Sequence, residues 1–266
     1  MIEKSELLRF SRNPNSHKGQ NGKVLIVGGS VQYVGAPALA ALAALKAGVD
    51  IVNIAAPEIV ALTINSYSPD LITTKLKGDF LTSRHFSQIA IMAMDYDVVL
   101  IGNGLKNTDV SKLVYKIEVP VVLDAGAFYK LNLKKIDDCL LTPHAAEFER
   151  LLKNSRIDRS QLQKYIGDNV ILLKGKLDKI ISKSRISYNN TGNAGMTVGG
   201  TGDVLAGLTA AMLAQSGNMF RSACTAAYVN GKAGNLCYSK YGYGFTASDM
   251  INEIPTVMKT LERKSL

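Results

Sequence analysis

The chain has 266 residues, of which 47% are hydrophobic and 20% charged, the balance of a folded globular protein and not of a disordered tail. A net charge of +9 favours an anionic partner, phosphate-bearing small molecules included. Aromatic residues make up only 7%, tryptophan is absent, and the Lys and Arg residues are scattered, which speaks against a base-stacking nucleic-acid platform.

The start, Met1-Ile-Glu-Lys-Ser-Glu6, has acidic residues where a secretion signal needs an apolar run. Lys23-Val-Leu-Ile-Val27 is a short apolar run ending in Gly28-Gly29-Ser30, which predicts a buried strand and a turn. Ala36 to Ala47 predicts a helix, with Gly48 where a C-terminal cap belongs. The apolar stretch from Val34 stops at Lys46, too short to cross a bilayer. Asp50 to Ala55 predicts a strand, and Pro57 opens a helical stretch. Asp97 to Ile101 runs into Gly102, and Val119 to Leu123 ends at Asp124. Leu140-Leu141-Thr142 leads into Pro143, a residue favoured in the first position of a helix. Val170 to Lys174 runs into Gly175, and 179–184 with 186–189 predict a hairpin near a sheet edge. The final third is helical, with Asp203 to Ala214 and Ala223 to Leu236 apolar nearly all round and therefore buried.

Continuous apolar strands alternating with helices predict an α/β fold with a largely parallel sheet covered on both faces. No linker divides the chain, so a single domain over 1–266 is expected. Each glycine turn follows a strand, and these turns are expected at one sheet edge, where such folds bind ligands. Cys139, Cys224 and Cys237 lie far apart in apolar surroundings, which predicts buried reduced thiols in a soluble cytoplasmic protein.

The segment from Asn189 to Asp203 holds glycines 192, 195, 199, 200 and 202 directly before a helical run. Glycines let backbone N–H groups converge, and a helix N-terminus adds partial positive charge, so this is an anion site. Asp203 alone would be a plain helix cap. Beside a phosphate-stabilising loop, it is what phosphoryl transfer to a hydroxyl requires. Gly28-Gly-Ser-Val-Gln-Tyr33 does not fit G-x-G-x-x-G, and no P-loop motif occurs.

Gly199-Gly-Thr-Gly-Asp-Val-Leu-Ala-Gly207 resembles the signature of the ADP/ATP-dependent NAD(P)H-hydrate dehydratases, in the ribokinase-like superfamily. Ser16-His-Lys-Gly19, Gly22 to Ser30, Gly35-Ala36, Gly102-Asn-Gly-Leu105, Leu123-Asp-Ala-Gly126, Leu141-Thr-Pro-His144 with Glu147, and Leu173-Lys-Gly175 are similar to further family motifs, in the family's order. The resemblance implies a ribokinase-like three-layer α/β/α fold. It also implies repair of the S-form of hydrated NADH or NADPH, driven by ADP or ATP. Phosphate would pass to the ring hydroxyl and then be eliminated.

Carried across, the family's positions put Ala36, Gly104, His144 and Asp203 at the hydrated dinucleotide, with Asp203 as the base. Lys174, Gly175, Lys176, Leu177, Asp178 and Gly202 would bind the adenine nucleotide. Gly199, Gly200, Thr201 and Gly202 would form the anion hole. His144-Ala-Ala-Glu147 looks like the superfamily's Asn-x-x-Glu, giving Glu147 an indirect role at magnesium. Asp178 stands where the family often has threonine and is expected to face ribose or adenine. The family further implies a homotetramer and, since no epimerase domain precedes this one, a separate epimerase in the same pathway. Two other readings remain: a related kinase of a hydroxymethylpyrimidine or thiazole vitamin precursor, and a nucleotide sensor without turnover. Kinases of that kind usually show asparagine where His144 stands, and a sensor gains nothing from a base at the phosphate.

Overall fold

A computed structural model describes residues 1–262, and residues 263–266 of the domain expected over 1–266 lie outside the described residues. The apolar run Lys23–Val27 forms β1, and α1 (Gly35–Lys46), β2 (Ile51–Pro57), α2 (Glu58–Asn65) and β3 (Ile72–Leu76) follow. Next come α3 (Phe86–Ala93), β4 (Val98–Ile101), α4 (Ser111–Val114), β5 (Val121–Leu123), β6 (Cys139–Leu141), α5 (Ala145–Ser155), α6 (Leu162–Tyr165) and β7 (Val170–Leu173). A hairpin of β8 (Asp178–Ile181) and β9 (Ile186–Asn189) precedes three helices, α7 (Thr201–Ser216), α8 (Met219–Tyr241) and α9 (Ala247–Lys259).

The strands form one sheet in the order β3-β2-β1-β4-β5-β6-β7-β8-β9. Neighbours from β3 to β7 run parallel, and β8 and β9 are antiparallel at the edge, where the hairpin was expected. Successive side chains of a strand point to opposite faces. Val24, Ile26 and Ile54 therefore pack with α1, α2 and α7 to α9, while Leu25, Val27 and Ile101 pack with α3 to α6. The result is the three-layer α/β/α arrangement. All three cysteines are buried and free, and none of the described helices is long and apolar enough to cross a membrane.

Strand order reverses between β1 and β4, so the connections leaving them diverge and open a crevice beyond their carboxyl ends. Gly28, Gly102, Asp124, Pro143 and Lys174 follow β1, β4, β5, β6 and β7 at that edge. Helix α7 reaches the same edge because it lies hard against α1. A Cβ on Gly207 would sit 2.0 Å from the Ala40 carbonyl oxygen, so only glycine allows this approach.

Three details differ from the sequence reading. The edge strand β3 was not foreseen, because Ile-Thr-Thr-Lys-Leu carries only one fully buried side chain. Helix α5 starts two residues after Pro143, with His144 as its cap. The helix read from Asp203 begins two residues earlier, at Thr201, so that Gly200 is its cap and Asp203 lies in the first turn.

Candidate active site

Gly200 caps α7 with φ of +93°, and Leu39 and Ala247 press where its Cβ would be, so both backbone and space demand glycine. Thr201 Oγ1 donates to the carbonyls of Met196 at 2.8 Å and Val198 at 3.2 Å, tying the glycine loop down. Val204 N–H is the first to bond back along the helix, to Gly200 O at 3.0 Å. The earlier N–H groups, of Thr201, Gly202 and Asp203, have no partner within the helix and form its anion-binding end. Gly199 lies open beside them.

Asp203, from this first turn, faces residues that end three strands. Its Oδ1 accepts from Asn103 Nδ2 at 2.7 Å, and the same amide nitrogen donates to Asp124 Oδ2 at 3.1 Å. Asp124 Oδ1 accepts from Thr142 Oγ1 at 2.8 Å and from Lys174 Nζ at 2.8 Å. Lys174 Nζ also lies 3.9 Å from Glu147 Oε2. One ammonium thus pairs with two carboxylates, and its charge also reaches Asp203. Burial pushes Asp203 up to about 6; Asp124 and Glu147 push the same way, while Asn103 and Lys174 oppose them. Burial likewise raises Glu147. For Lys174, burial alone would lower the pKa, but Asp124 and Glu147 outweigh it and the ammonium is held more firmly. A carboxylate near 6 is placed to act as a general base at neutral pH.

A cavity of about 830 Å³ opens beside the loop, lined by Lys174 to Asp178, by residues of the stretch from Asn190 to Thr197, by Thr201, Gly202 and Leu205, and by Ala227, Asn230 and Gly231 of α8. All the expected nucleotide residues, Lys174, Gly175, Lys176, Leu177, Asp178 and Gly202, line it. Asp178, expected to face ribose or adenine, is among the lining residues, and its oxygens accept from Gly175 N at 3.0 Å and Asn189 Nδ2 at 3.0 Å, closing the loop over β8. A second cavity, of about 520 Å³, lies at the strand-order reversal, between Gly29 to Gln32, Phe80, Leu81 and Leu105 to Thr108.

The remaining expected residues sit at the same sheet edge with strong structural duties. Gly104 has φ of +71°, and a Cβ there would meet Tyr33 O at 2.5 Å. Ala36 lies half-buried in the first turn of α1. His144 is exposed, its Nδ1 accepting from Ala146 N at 3.1 Å and Glu147 N at 3.3 Å, while Glu147 Oε2 accepts from His144 N at 2.8 Å. This reciprocal cap fixes the ring at the end of β6 and draws Glu147 towards Lys174. Asn103 and Asp124 were quoted within motifs but not singled out as site residues. Their signal was a polar side chain directly after an apolar strand, where the sheet edge gathers ligands.

For magnesium, the donor set is informative. Asp124 and Glu147 oxygens already accept N–H and ammonium donors, and no cluster of three metal-ligating side chains occurs among the described residues. That fits a hydrated ion carried by nucleotide phosphates and does not fit a protein cage.

A model of the NAD(P)H-hydrate dehydratase family matches residues 24–256. The chain belongs to the NAD(P)H-hydrate dehydratase family. It is similar to the ADP-dependent (S)-NAD(P)H-hydrate dehydratase of Cenarchaeum symbiosum, 38% identical over 99% of this chain and 98% of that one. It is also 43% identical to the bifunctional NAD(P)H-hydrate repair enzyme Nnr of Methanothermobacter thermautotrophicus, over 95% of this chain and 53% of that protein. The chain thus spans about half the length of the bifunctional relatives it matches. Among solved structures, the ADP/ATP-dependent NAD(P)H-hydrate dehydratase of Bacillus subtilis, co-crystallized with ATP/Mg2+, superposes with a TM-score of 0.77 at 27% identity, covering 96% of this chain and 95% of that one. A ribokinase of Thermotoga maritima, 13% identical over 90% of this chain and 99% of that one, shares the fold at a TM-score of 0.62, so the dehydratase fold is ribokinase-like.

Proposed function

We propose that this protein restores hydrated NADH or NADPH to the reduced dinucleotide, using ADP or ATP as phosphoryl donor. One observation carries the reading: Asp203, its carboxyl raised to about 6, shares the first turn of α7 with Thr201 and Gly202, which line the nucleotide-sized cavity.

The chemistry follows from leaving groups. Hydroxide leaves carbon poorly, and phosphate leaves far better. With the substrate's ring hydroxyl against Asp203 Oδ2, the carboxylate takes the hydroxyl proton as oxygen attacks the terminal phosphorus. The bond from that phosphorus to the bridging oxygen of the nucleotide breaks. The N–H groups of Gly199 to Gly202 hold the transferring phosphoryl group, and Lys174 Nζ, 3.6 Å from where a Gly202 Cβ would lie, adds positive charge beside it. Glu147 and Asp124 would hold a hydrated magnesium ion through its waters, and the ion would supply charge neutralisation of the phosphates. The phosphorylated ring then loses phosphate from one carbon and a proton from its neighbour, which regenerates the double bond.

Lys174, Gly175, Lys176, Leu177, Asp178 and Gly202 form the nucleotide site in this reading. Ala36, Gly104 and His144 form the wall against which the ring lies; Ala36 and Gly104 leave room for a flat group. The hydroxyl-bearing carbon is a stereocentre, so a site of fixed geometry takes one epimer, the S-form. Complete repair therefore calls for an epimerase, and the resemblance to the family supports a tetramer as the working form.

The test is to mix purified protein with hydrated NADPH, magnesium and ADP or ATP and to follow near-ultraviolet absorbance. Recovery of the reduced-nicotinamide band is expected. A stable phosphorylated product without that band would instead assign a small-molecule kinase.

A further inference from the structure

Helix α8 turns a face of small residues towards the nucleotide cavity: Ala227, Asn230, Gly231 and Gly234 recur at helical spacing. The small residues are required by contact. A Cβ on Gly231 would lie 2.2 Å from Thr191 Oγ1, and one on Gly234 would lie 2.4 Å from Met196 Sδ, so the 190–197 loop rests directly on the helix. Asn230 breaks this pattern. It lines the cavity, it is 6% exposed, and its Oδ1 is enclosed with no donor in reach among the described residues.

An amide in that position has a structural alternative, which is to bond the loop beside it. Its neighbours do so: Asn189 donates to Ala227 O at 3.2 Å, and Asn193 donates to Gly234 O at 2.9 Å. Asn230 is left without a partner at the cavity wall, its Oδ1 enclosed, and a buried acceptor without a donor is destabilising unless a ligand supplies one. Its place also selects the part of the ligand. Phosphates belong at Gly199 to Gly202, while Leu205, Ala227 and Leu177, which also line the cavity, supply apolar surface for a flat ring.

We propose that Asn230 reads the base of the nucleotide, its Oδ1 accepting from the exocyclic amino group of a 6-aminopurine, so that ADP and ATP are chosen over 6-oxopurine nucleotides. This rests on the nucleotide reading of the cavity. Paired at the N6/N7 edge, one amide satisfies a 6-aminopurine with an acceptor and a donor. A 6-oxopurine presents two acceptors at that edge, which leaves Oδ1 against an oxygen.

The experiment is calorimetric titration of ADP and IDP, each with magnesium, into wild type, Asn230→Leu and Asn230→Ser, with circular dichroism confirming the fold of each. Wild type is expected to bind ADP at least about tenfold more tightly than IDP. Asn230→Leu is expected to lose about that factor for ADP and to bind both nucleotides equally, with Asn230→Ser between. Equal binding of ADP and IDP by wild type overturns the assignment, and it needs no variant to fold. A preference for ADP that survives in Asn230→Leu also overturns it, since backbone or ribose contacts would then set the choice. If wild type binds neither nucleotide, the nucleotide reading of the cavity fails, and the assignment of Asn230 falls with it.

Discussion

Asp203 ionises near 3.9 in an unfolded chain, but in the fold burial and the neighbouring Asp124 and Glu147 carboxylates hold it up to about 6. Such a group stabilises the fold fully below its unfolded pKa, and that contribution is lost as pH rises through the folded value. Asp203→Asn, neutral at every pH, should therefore melt higher than wild type at pH 8, by roughly 1–3 kcal/mol, and should match it near pH 4. Thermal melts at the two pH values check this, and an equal difference at both would contradict it. Catalysis carries the opposite sign. The base must be ionised, so log(kcat/KM) should fall about one unit per pH unit below about 6. Asn103 tunes the same group, because its amide donates to Asp203 and Asp124 together and lowers Asp203. Asn103→Ala should move the acid limb of the pH profile to higher pH, a shift that a merely structural role would not produce. Asp203 was legible in the sequence through its glycine approach. Asn103 was not, because a buried asparagine after a strand gains meaning only once Asp124 and Asp203 are seen on either side of it.

The approach of α7 to α1 fixes where the anion-binding N-terminus lies, and two glycines separate packing from function there. Gly207→Ala drives a Cβ to 2.0 Å from the Ala40 carbonyl and should cost about 1–3 kcal/mol in urea unfolding. Gly35→Ala, at the start of α1, meets nothing within 4 Å and should be neutral or slightly stabilising. Comparable losses in both would mean that close helix contact is not what Gly207 provides. Element types were legible where one signal dominated: apolar runs gave the parallel strands, and the paired segments 179–184 and 186–189 gave the β8–β9 hairpin. Boundaries were missed where two signals compete. Pro143 reads as a first helical residue, yet His144 accepts the N–H groups of Ala146 and Glu147 and so moves the helix start past it. Likewise the helix read from Asp203 starts at Thr201, because the positive φ of Gly200 makes that glycine the cap. Strand β3 carries too little apolar surface to be recognised without its partner β2.

Across the whole molecule, a parallel sheet brings to one edge residues that are far apart in the chain: Asn103, Asp124, His144, Lys174 and Asp203 each follow a different strand or open a different helix. The order of the glycine turns therefore predicted the site's location, though not the contacts within it. The net charge of +9, which favours a phosphate-bearing partner, does not arise at the centre, where Asp124 and Glu147 both pair with Lys174. Binding of ADP with magnesium should stabilise the folded state by about 2.7 kcal/mol at a hundred times its Kd, read as a rise in Tm. A melting point indifferent to ADP would place nucleotide binding outside this fold. The most direct test of the account compares wild type with Asp203→Asn for two quantities at pH 8, turnover of hydrated NADPH and affinity for ADP. Turnover should fall at least about a hundredfold while ADP affinity changes little, since the N–H groups of the glycine loop and Lys174 remain. A variant that keeps its turnover, or one that loses ADP affinity and turnover in equal measure, would contradict the role of Asp203 as the base at this anion site.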